Sequence, residues 1–258
     1  EFNNLFFVAE ISANHLGIVE RAHKLIDCAA QGGANAIKLQ TYTAESMTLN
    51  LPEFSVSSNH ELWSHKNLFE LYKEACTPRE WHKELFVHAR ESGLIPFSSP
   101  FDCSAVDFLE SLSCPIYKIA SLETGDLELI SYAAQTMKPI IISTGATELS
   151  EIREAVETAL KTGNSNISLL VCTSSYPAIP AESHLKRIIN LSEEFNLRIG
   201  ISDHTLGIGV SVAAIALGAT IVEKHLTFDR SEGGHDAAFS MEPEEFKNLV
   251  IEGRTAYE

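Results

Sequence analysis

Eight short runs rich in Val, Ile, Leu and Phe recur along the chain, and helix-like segments separate them. Each run is continuously apolar rather than alternating, which is typical of parallel strands buried on both faces. We predict strands at residues 5–11, 36–41, 94–98, 116–119, 139–143, 167–172, 198–201 and 220–223. Eight strand–helix units in 258 residues match the size of a closed barrel. The predicted fold class is α/β, a (β/α)8 TIM barrel.

An open, doubly wound sheet is the alternative arrangement. Such a sheet normally carries a glycine-rich phosphate loop after its first strand, and residues 10–17 contain no G-x-G-x-x-G motif. The barrel is therefore favoured. One insertion interrupts the second strand–helix unit at residues 44–66. Loops of that length are usually functional, so we expect a lid or a subunit contact there.

The chain is strongly acidic, with a net charge of −16. This charge argues against a nucleic-acid partner or an anionic membrane, because both require a basic surface. A small anionic ligand is still compatible, since a few lysines at one rim can reverse the local field. The five scattered cysteines form no Cys-x-x-Cys pair and are typical of reduced thiols. We expect a cytoplasmic location.

Two histidines end short apolar runs that we predict to be neighbouring strands. His204 follows the seventh run and His225 follows the eighth. The carboxyl ends of barrel strands meet at one mouth, so both imidazoles are expected there. Imidazole is a common ligand for divalent ions, and a shared metal or anion is one interpretation. The other is two histidines with purely structural hydrogen bonds.

Two lysines, Lys38 and Lys118, lie inside strands that we predict to be buried. A buried unpaired ammonium is costly and tends to lose its proton. The lysines could neutralise a phosphate or carboxylate, form a Schiff base as in an aldolase, or make structural ion pairs. Hydroxyl groups near the strand ends favour anion binding; they belong to Ser99, Ser121, Ser143 and Thr144.

Carboxylates complete the polar set at the predicted mouth. Glu10 is the one acidic residue of the first strand, and it could pair with Lys38 or serve as a general base that orients water. Asp236 follows two glycines in the charged segment 229–236. Such a segment suits a mobile loop that closes over a ligand, and Asp236 could then reach a polyol.

Seven motifs resemble the sialic acid synthase family in order and spacing. They are AEISANH at 9–15, KLQT at 38–41, SPFD at 99–102, YKIASLE at 117–123, ISTG at 142–145, GISDHT at 200–205 and EKH at 223–225. Within this family the segments at 78–85, 97–102, 172–177 and 238–240 are most similar to the pseudaminic acid synthase branch. The resemblance implies a TIM-barrel transferase.

The resemblance also implies a reaction. Phosphoenolpyruvate condenses with an open-chain N-acetylated amino sugar, phosphate is released, and a nine-carbon 2-keto-3-deoxy (nonulosonic) acid forms. Pseudaminic acid is the product that the branch implies, with N-acetylneuraminic and legionaminic acid as alternatives. The implied cofactor is a divalent metal, Mn²⁺, with Mg²⁺ or Co²⁺ as alternatives. A lysine Schiff-base aldolase and a non-catalytic ligand-binding barrel are the competing hypotheses from other classes.

The resemblance also implies functional residues at the positions of this chain that match the family's motifs. The implied metal ligands are His204 and His225, which with Glu10 form the catalytic set. The implied phosphoenolpyruvate contacts are Lys38, Gln40, Ser99, Lys118, Ser121, Ser143 and Ser202, and the implied sugar contacts are Glu123, Tyr176 and Asp236. Tyr176 and Phe239 could also form an apolar wall for the methyl group of a 6-deoxy sugar.

The expected domain organisation is a single catalytic barrel over residues 1–258. Family members carry a small C-terminal antifreeze-like domain that contributes an Arg to the partner's site, and this sequence stops where that linker is expected. Either the sequence is truncated or the domain is absent, and we expect the chain as given to bind phosphoenolpyruvate and metal but to turn over poorly. The resemblance also implies a homodimer for the full-length protein.

Overall fold

The computed structural model describes residues 5–56 and 67–258, so part of the predicted insertion lies outside the described residues. Within these ranges, eight parallel strands pair in sequence order and close into a barrel. The predicted (β/α)8 barrel is thereby confirmed. The strands are β1 (Phe6–Glu10), β2 (Ala36–Thr41), β3 (Ile95–Pro100), β4 (Tyr117–Ile119), β5 (Ile140–Ser143), β6 (Ile167–Cys172), β7 (Arg198–Ser202) and β8 (Ile221–His225).

Helices occupy the connections and cover the outside of the barrel. They are α1 (Val19–Gln31), α2 (Ala44–Met47), α3 (Leu68–Ala75), α4 (Arg79–Glu91), α5 (Cys103–Ser111), α6 (Leu127–Ala134), α7 (Leu149–Lys161), α8 (Arg187–Phe195), α9 (Gly209–Ala216) and α10 (Pro243–Tyr257). The connection between β2 and β3 holds α2 and α3 in addition to the barrel helix α4. Only α2 lies within the predicted insertion at 44–66, and α3 follows it.

Three strands extend further toward the barrel mouth than the sequence predicts. β3 continues to Pro100, β7 to Ser202 and β8 to His225, so the predicted site residues Ser99, Ser202 and His225 are strand residues. Strand residues alternate between the two faces of a sheet. The face on which each of these side chains lies is therefore fixed by the register of the barrel.

The core consists of the barrel interior and the layer between strands and helices. Leu25 and Ile26 of α1 and Leu109 of α5 are fully buried in the outer layer. Gly200 on β7 marks a close approach, because a Cβ atom there would come within 2.4 Å of the Ile221 carbonyl oxygen. Tight packing of this kind fixes the strand positions that carry the polar residues of the mouth.

All five cysteines are free thiols. Of the helices in the described ranges, none is long and apolar enough to cross a membrane.

Candidate active site

A large cavity opens at the carboxyl ends of the strands. Its empty space is about 1130 Å³, part of which is open to solvent. Every predicted site residue except Ser99 lines it. Ser99 is fully buried beneath the cavity wall, where its hydroxyl lies 3.5 Å from the Lys38 ammonium. The predicted contact of Ser99 with the ligand stays a prediction.

Four buried charges form the floor of the cavity, and we call them the inner charge cluster: Glu10, Lys38, Lys118 and Glu223. The Lys38 ammonium lies 2.8 Å from Glu10 Oε1 and 3.5 Å from Glu223 Oε1. The Lys118 ammonium lies 3.8 Å from the same Glu223 oxygen. Sequence reasoning predicted three of these residues and missed Glu223, although its motif, EKH, was already part of the resemblance.

The serines of the floor are hydrogen-bonded to this cluster. Lys118 donates to the Ser143 hydroxyl at 2.6 Å, and Ser202 donates to Glu223 at 2.8 Å. Ser121 accepts a hydrogen bond from the Gly145 amide at 3.2 Å. A Cβ atom on Gly145 would come within 2.8 Å of the Ser121 hydroxyl oxygen, so the glycine keeps this part of the floor open.

Burial and neighbouring charges shift the pKa values of the cluster in different directions. Burial and the nearby Lys38 charge lower the pKa of Lys118, although Glu223 partly opposes this shift. Burial would lower the pKa of Lys38 as well, but Glu10 and Glu223 outweigh it and raise that pKa. Burial alone would raise the pKa of Glu10, but His225 and Lys38 hold it well below its usual range. Glu10 is therefore ionised at neutral pH.

The two histidines lie side by side above the floor. Their ring centroids are 5.3 Å apart. Nδ1 of His204 donates to the Thr173 carbonyl at 3.1 Å, which leaves the Nε2 lone pair of a neutral ring available. Nε2 of His225 lies 3.2 Å from Glu10 Oε2, and its buried Nδ1 has no partner among the described residues. The prediction that strands seven and eight bring both rings together is confirmed by this geometry.

These two histidines fit a metal site in which the protein supplies only some of the ligands. A backbone carbonyl that holds one imidazole nitrogen is the usual support for a metal-ligating histidine. In the described part of the chain, no group of three His, Cys, Asp or Glu side chains is placed to hold an ion. The protein would therefore supply two imidazoles, and substrate or water would complete the shell, as an open catalytic site requires.

Aromatic rings pack against the histidines. Phe239 lies 5.0 Å from the His225 ring and 5.9 Å from the His204 ring. Tyr176 lies 4.6 Å from His204 and 5.0 Å from Phe239. Phe239 is only 2% exposed, so little of its ring surface faces the open cavity. Tyr176 and Phe239 thus form the predicted apolar wall, but much of their ring surface packs against His204 and His225.

Two carboxylates lie at the side of the cavity. Asp236 accepts hydrogen bonds from the Ser12 hydroxyl and from the Ala13 amide, which fixes its position. Glu123 has a buried Oε2 atom without a partner in the described ranges, and burial raises its pKa. Both residues were predicted as sugar contacts, and both line the cavity.

The charged segment 229–236 is docked on the barrel in this structure. Glu232 pairs with Arg21 of α1 at 2.5 Å, and His235 lies 3.4 Å from Glu74 of α3. Arg230 pairs with Glu245 of α10. The position agrees with a loop covering the site; its predicted mobility stays a prediction.

An apolar wall forms the outer half of the cavity, and sequence reasoning missed it. Its residues are Tyr42, Met47, Leu68, Leu71, Tyr72 and Phe101. All except Phe101 belong to the β2–β3 connection. Of the six, Met47 alone lies in the predicted insertion at 44–66, so the insertion pointed to this part of the chain but not to the other five residues.

The chain is similar to known proteins both in sequence and in fold. The NeuB family model matches residues 25–258. Pseudaminic acid synthase from Helicobacter pylori is 44% identical over 94% of this chain and 72% of the relative. The Campylobacter jejuni pseudaminic acid synthase is 41% identical over 98% and 74%. The crystal structure of N-acetylneuraminic acid synthetase from Leptospira borgpetersenii superposes with a TM-score of 0.89 at 34% identity, covering 99% of this chain and 85% of that one.

Proposed function

The chain belongs to the NeuB family, and from this premise we propose that it condenses phosphoenolpyruvate with an open-chain N-acetylated amino sugar. The products are phosphate and a nine-carbon 2-keto-3-deoxy acid. Because two of the relatives are pseudaminic acid synthases, pseudaminic acid is the proposed product. N-acetylneuraminic and legionaminic acid are alternatives that would need only a different sugar.

The observation that carries this proposal is the sharing of one cavity by two buried lysines and two histidines. Lys38 and Lys118 are 3% and 2% exposed, and the hydroxyls of Ser121, Ser143 and Ser202 surround them. Ammonium and hydroxyl groups are the donors that a phosphate and a carboxylate require. The floor of the cavity therefore suits phosphoenolpyruvate.

The histidine side of the cavity suits the aldehyde. A divalent cation, by our proposal Mn²⁺, would be held by His204 and His225 and would polarise the carbonyl oxygen of the sugar. Phe239 and Tyr176 pack against the two rings and fix their orientation. Glu123 and Asp236 would accept hydrogen bonds from the sugar hydroxyls.

Condensation needs a carbon–carbon bond and then the loss of phosphate. Carbon 3 of phosphoenolpyruvate attacks the aldehyde carbon, which leaves an oxocarbenium at carbon 2. Water adds at carbon 2, and the tetrahedral intermediate releases phosphate by C–O cleavage. A carboxylate as acidic as Glu10 is a weak base, so we assign it to orienting the water and stabilising the oxocarbenium charge. Lys38 and Lys118 neutralise the departing phosphate.

An assay of phosphate release tests the proposal. The protein is supplied with phosphoenolpyruvate, Mn²⁺ and one of three sugars: N-acetylmannosamine, the 2,4-diacetamido-trideoxy altrose, or its mannose counterpart. We expect release with the altrose sugar, and product mass identifies the acid. EDTA should abolish activity, and Mn²⁺, Mg²⁺ or Co²⁺ should restore it to different degrees.

Matched variants separate the proposal from its alternatives. His225→Ala should abolish phosphate release, whereas His88→Ala, at a half-buried ion pair on α4, should not change it. The lowered pKa of Lys118 is the observation that would suit an aldolase. Borohydride trapping of pyruvate on Lys118, with no effect of EDTA, would replace our proposal by that reaction. Absence of release with all three sugars would leave a ligand-binding barrel.

A further inference from the structure

The turn between β1 and α1, residues 11–18, has an uncommon backbone conformation. Ser12 has a φ of 47° and Leu16 has a φ of 52°, and both values lie in the left-handed region that residues with a side chain rarely adopt. Such conformations persist only where the surrounding contacts hold them, and they concentrate at functional sites. Ser12 lines the cavity, yet the proposed reaction gives it no role.

Ser12 and its neighbour Ala13 bond to one and the same carboxylate oxygen. The Ser12 hydroxyl donates to Oδ2 of Asp236, and the Ala13 amide donates to that atom at 3.2 Å. Ser12 is only 3% exposed, so its hydroxyl is shielded from competing water. Among the described residues no donor bonds to the other oxygen, Oδ1. Because Asp236 lines the cavity, Oδ1 is available to a ligand hydroxyl.

A second set of bonds holds the main chain of Asp236. Asn14 Nδ2 donates to the Ser240 hydroxyl at 2.8 Å and to the Leu226 carbonyl at 2.9 Å. The Ser240 hydroxyl in turn donates to the Asp236 carbonyl at 2.6 Å. Asn14 and Ser240 are both buried. The β1–α1 turn therefore fixes Asp236 by its side chain and by its backbone.

The β1–α1 turn also supports the segment that precedes Asp236. A Cβ atom on Gly234 would come within 2.6 Å of Leu16 Cδ2, so the segment lies directly against the turn. Arg21, at the start of α1, pairs with Glu232 and lies over the Phe228 ring at 4.8 Å. The position of the segment relative to the barrel is thus set largely by contacts with the turn and α1.

The same turn connects Asp236 to the reactive part of the cavity. Glu10, the last residue of β1, is two residues before Ser12. Phe239 is three residues after Asp236, and its ring lies 5.0 Å from the His225 ring. A sugar held by Asp236 is therefore oriented toward Glu10 and His225 only as closely as the turn holds that carboxylate, and small misplacements at a reacting centre are costly.

We propose that Ser12 is a positioning residue, whose hydroxyl holds Oδ2 of Asp236 so that Oδ1 is presented to a hydroxyl of the acceptor sugar. The left-handed backbone at Ser12 brings its hydroxyl and the Ala13 amide to one carboxylate oxygen. The inference rests on the proposed function, and it adds a residue that acts on the sugar through Asp236 and makes no contact of its own with substrate.

Two substitutions at Ser12 test this role. Ser12→Ala and Ser12→Gly both remove the hydroxyl, but only glycine adopts the left-handed backbone without steric cost. The kcat and the KM values for the sugar and for phosphoenolpyruvate are measured for both variants, and again for each combined with Asp236→Asn. Ser104→Ala is the control, because it removes an exposed serine hydroxyl that donates to Asp102 at 2.6 Å.

We expect both substitutions to raise the KM for the sugar about 10-fold or more, as for a lost hydrogen bond to a charged group. The kcat should stay within about 3-fold, because binding is lost equally in the ground and transition states. The KM for phosphoenolpyruvate and all values in the control should not change. In the Asp236→Asn protein, the loss of the Ser12 hydroxyl should change the sugar KM by less than about 2-fold.

An unchanged sugar KM in both Ser12 variants overturns the positioning role and leaves the proposed function intact. An undiminished effect in the Asp236→Asn protein also overturns it, because Ser12 would then act independently of Asp236. An effect of Ser12→Ala without one of Ser12→Gly would assign the change to the backbone, and failure of both variants to fold would make the hydroxyl purely structural. If the unchanged protein releases no phosphate with any of the three sugars, the proposed function fails and the positioning role fails with it.

Discussion

Two groups of buried charges lie at the same end of the barrel, on opposite sides of its wall. The inner charge cluster lines the cavity. The outer ion pair, Asp203 and Lys224, lies between the strands and α9, with Lys224 Nζ 3.2 Å from Asp203 Oδ2. Both were polar strand-end residues in the sequence, but neither member of the outer pair lines the cavity. The same residue types thus serve two different purposes.

The difference between the groups is in how completely their polar atoms are paired. Asp203 accepts hydrogen bonds from the amide and hydroxyl of Thr205 and from the hydroxyl of Ser211. Lys224 donates to the Thr205 and Gly207 carbonyls as well. In the inner group, by contrast, Glu223 Oε2 has no partner among the described residues. A closed set of bonds stabilises a fold, and an open set is available to a ligand.

The largest expected effect comes from the inner cluster. Lys118→Met should lower kcat/KM by about 10³-fold or more, because a buried donor to the substrate anion is lost. The free energy of unfolding should change by less than about 1 kcal/mol, since Glu223 keeps Lys38 and Ser202 as partners. Steady-state kinetics and urea unfolding measure the two quantities. Full activity with a large loss of stability would contradict this assignment.

The outer ion pair should give the opposite result. Lys224→Met leaves the buried Asp203 carboxylate without a cation, and breaking such a pair costs about 3 kcal/mol or more. The kcat/KM of the folded fraction should stay within about 3-fold, as Lys224 does not line the cavity.

Asp203→Asn is the companion variant, because it removes the charge and keeps one acceptor oxygen. The double variant should lose less free energy of unfolding than the two single variants lose in sum, as expected for residues in direct contact. Strict additivity in urea unfolding would show that the two charges do not stabilise each other.

The smallest expected effect concerns His82 of α4, a fully paired residue of the outer layer. Its Nδ1 donates to the Pro78 carbonyl at 3.0 Å and its Nε2 lies 2.8 Å from the Thr41 hydroxyl. Burial lowers its pKa from 6.5 to about 4, so the unfolded state binds the proton first as pH falls. Stability should therefore decline between pH 6.5 and 4, by about 2 kcal/mol from pH 7 to pH 5 for this residue.

His82→Gln isolates this contribution from that of His15, whose pKa burial also lowers to about 4. The variant should lose less stability than the unchanged protein between pH 7 and pH 5 in urea unfolding. Equal losses would show that His82 does not contribute to the pH dependence.

Much of the site could be predicted from the sequence, because the order of strands in a TIM barrel is the order of the chain. His204 and His225 belong to consecutive strand units, and their proximity followed from that order. Lys38 and Lys118 were predicted to be inward-facing because they are charges inside apolar runs, and both line the cavity. In each case a local signal was enough once the fold class was known.

Other parts of the site had no local signal. Glu223 and Lys224 are adjacent in sequence, yet Glu223 lines the cavity and Lys224 lies in the outer layer. Ser99 does not line the cavity, and its hydroxyl lies 3.5 Å from the Lys38 ammonium, a position that no local pattern indicates. The apolar wall includes Leu68, Leu71 and Tyr72 of α3, which follows the predicted insertion, and no local pattern places that helix at the cavity.

The sequence by itself determined the barrel, the order of its strands and the chemical groups at its mouth. Only the tertiary structure decided which of those groups share a cavity. The physical reason is that strands buried on both faces have no polar–apolar alternation to mark the inner side. Register and closure assign the sides, and they placed Glu223 and His225 of β8 inside the barrel and Lys224, between them, outside.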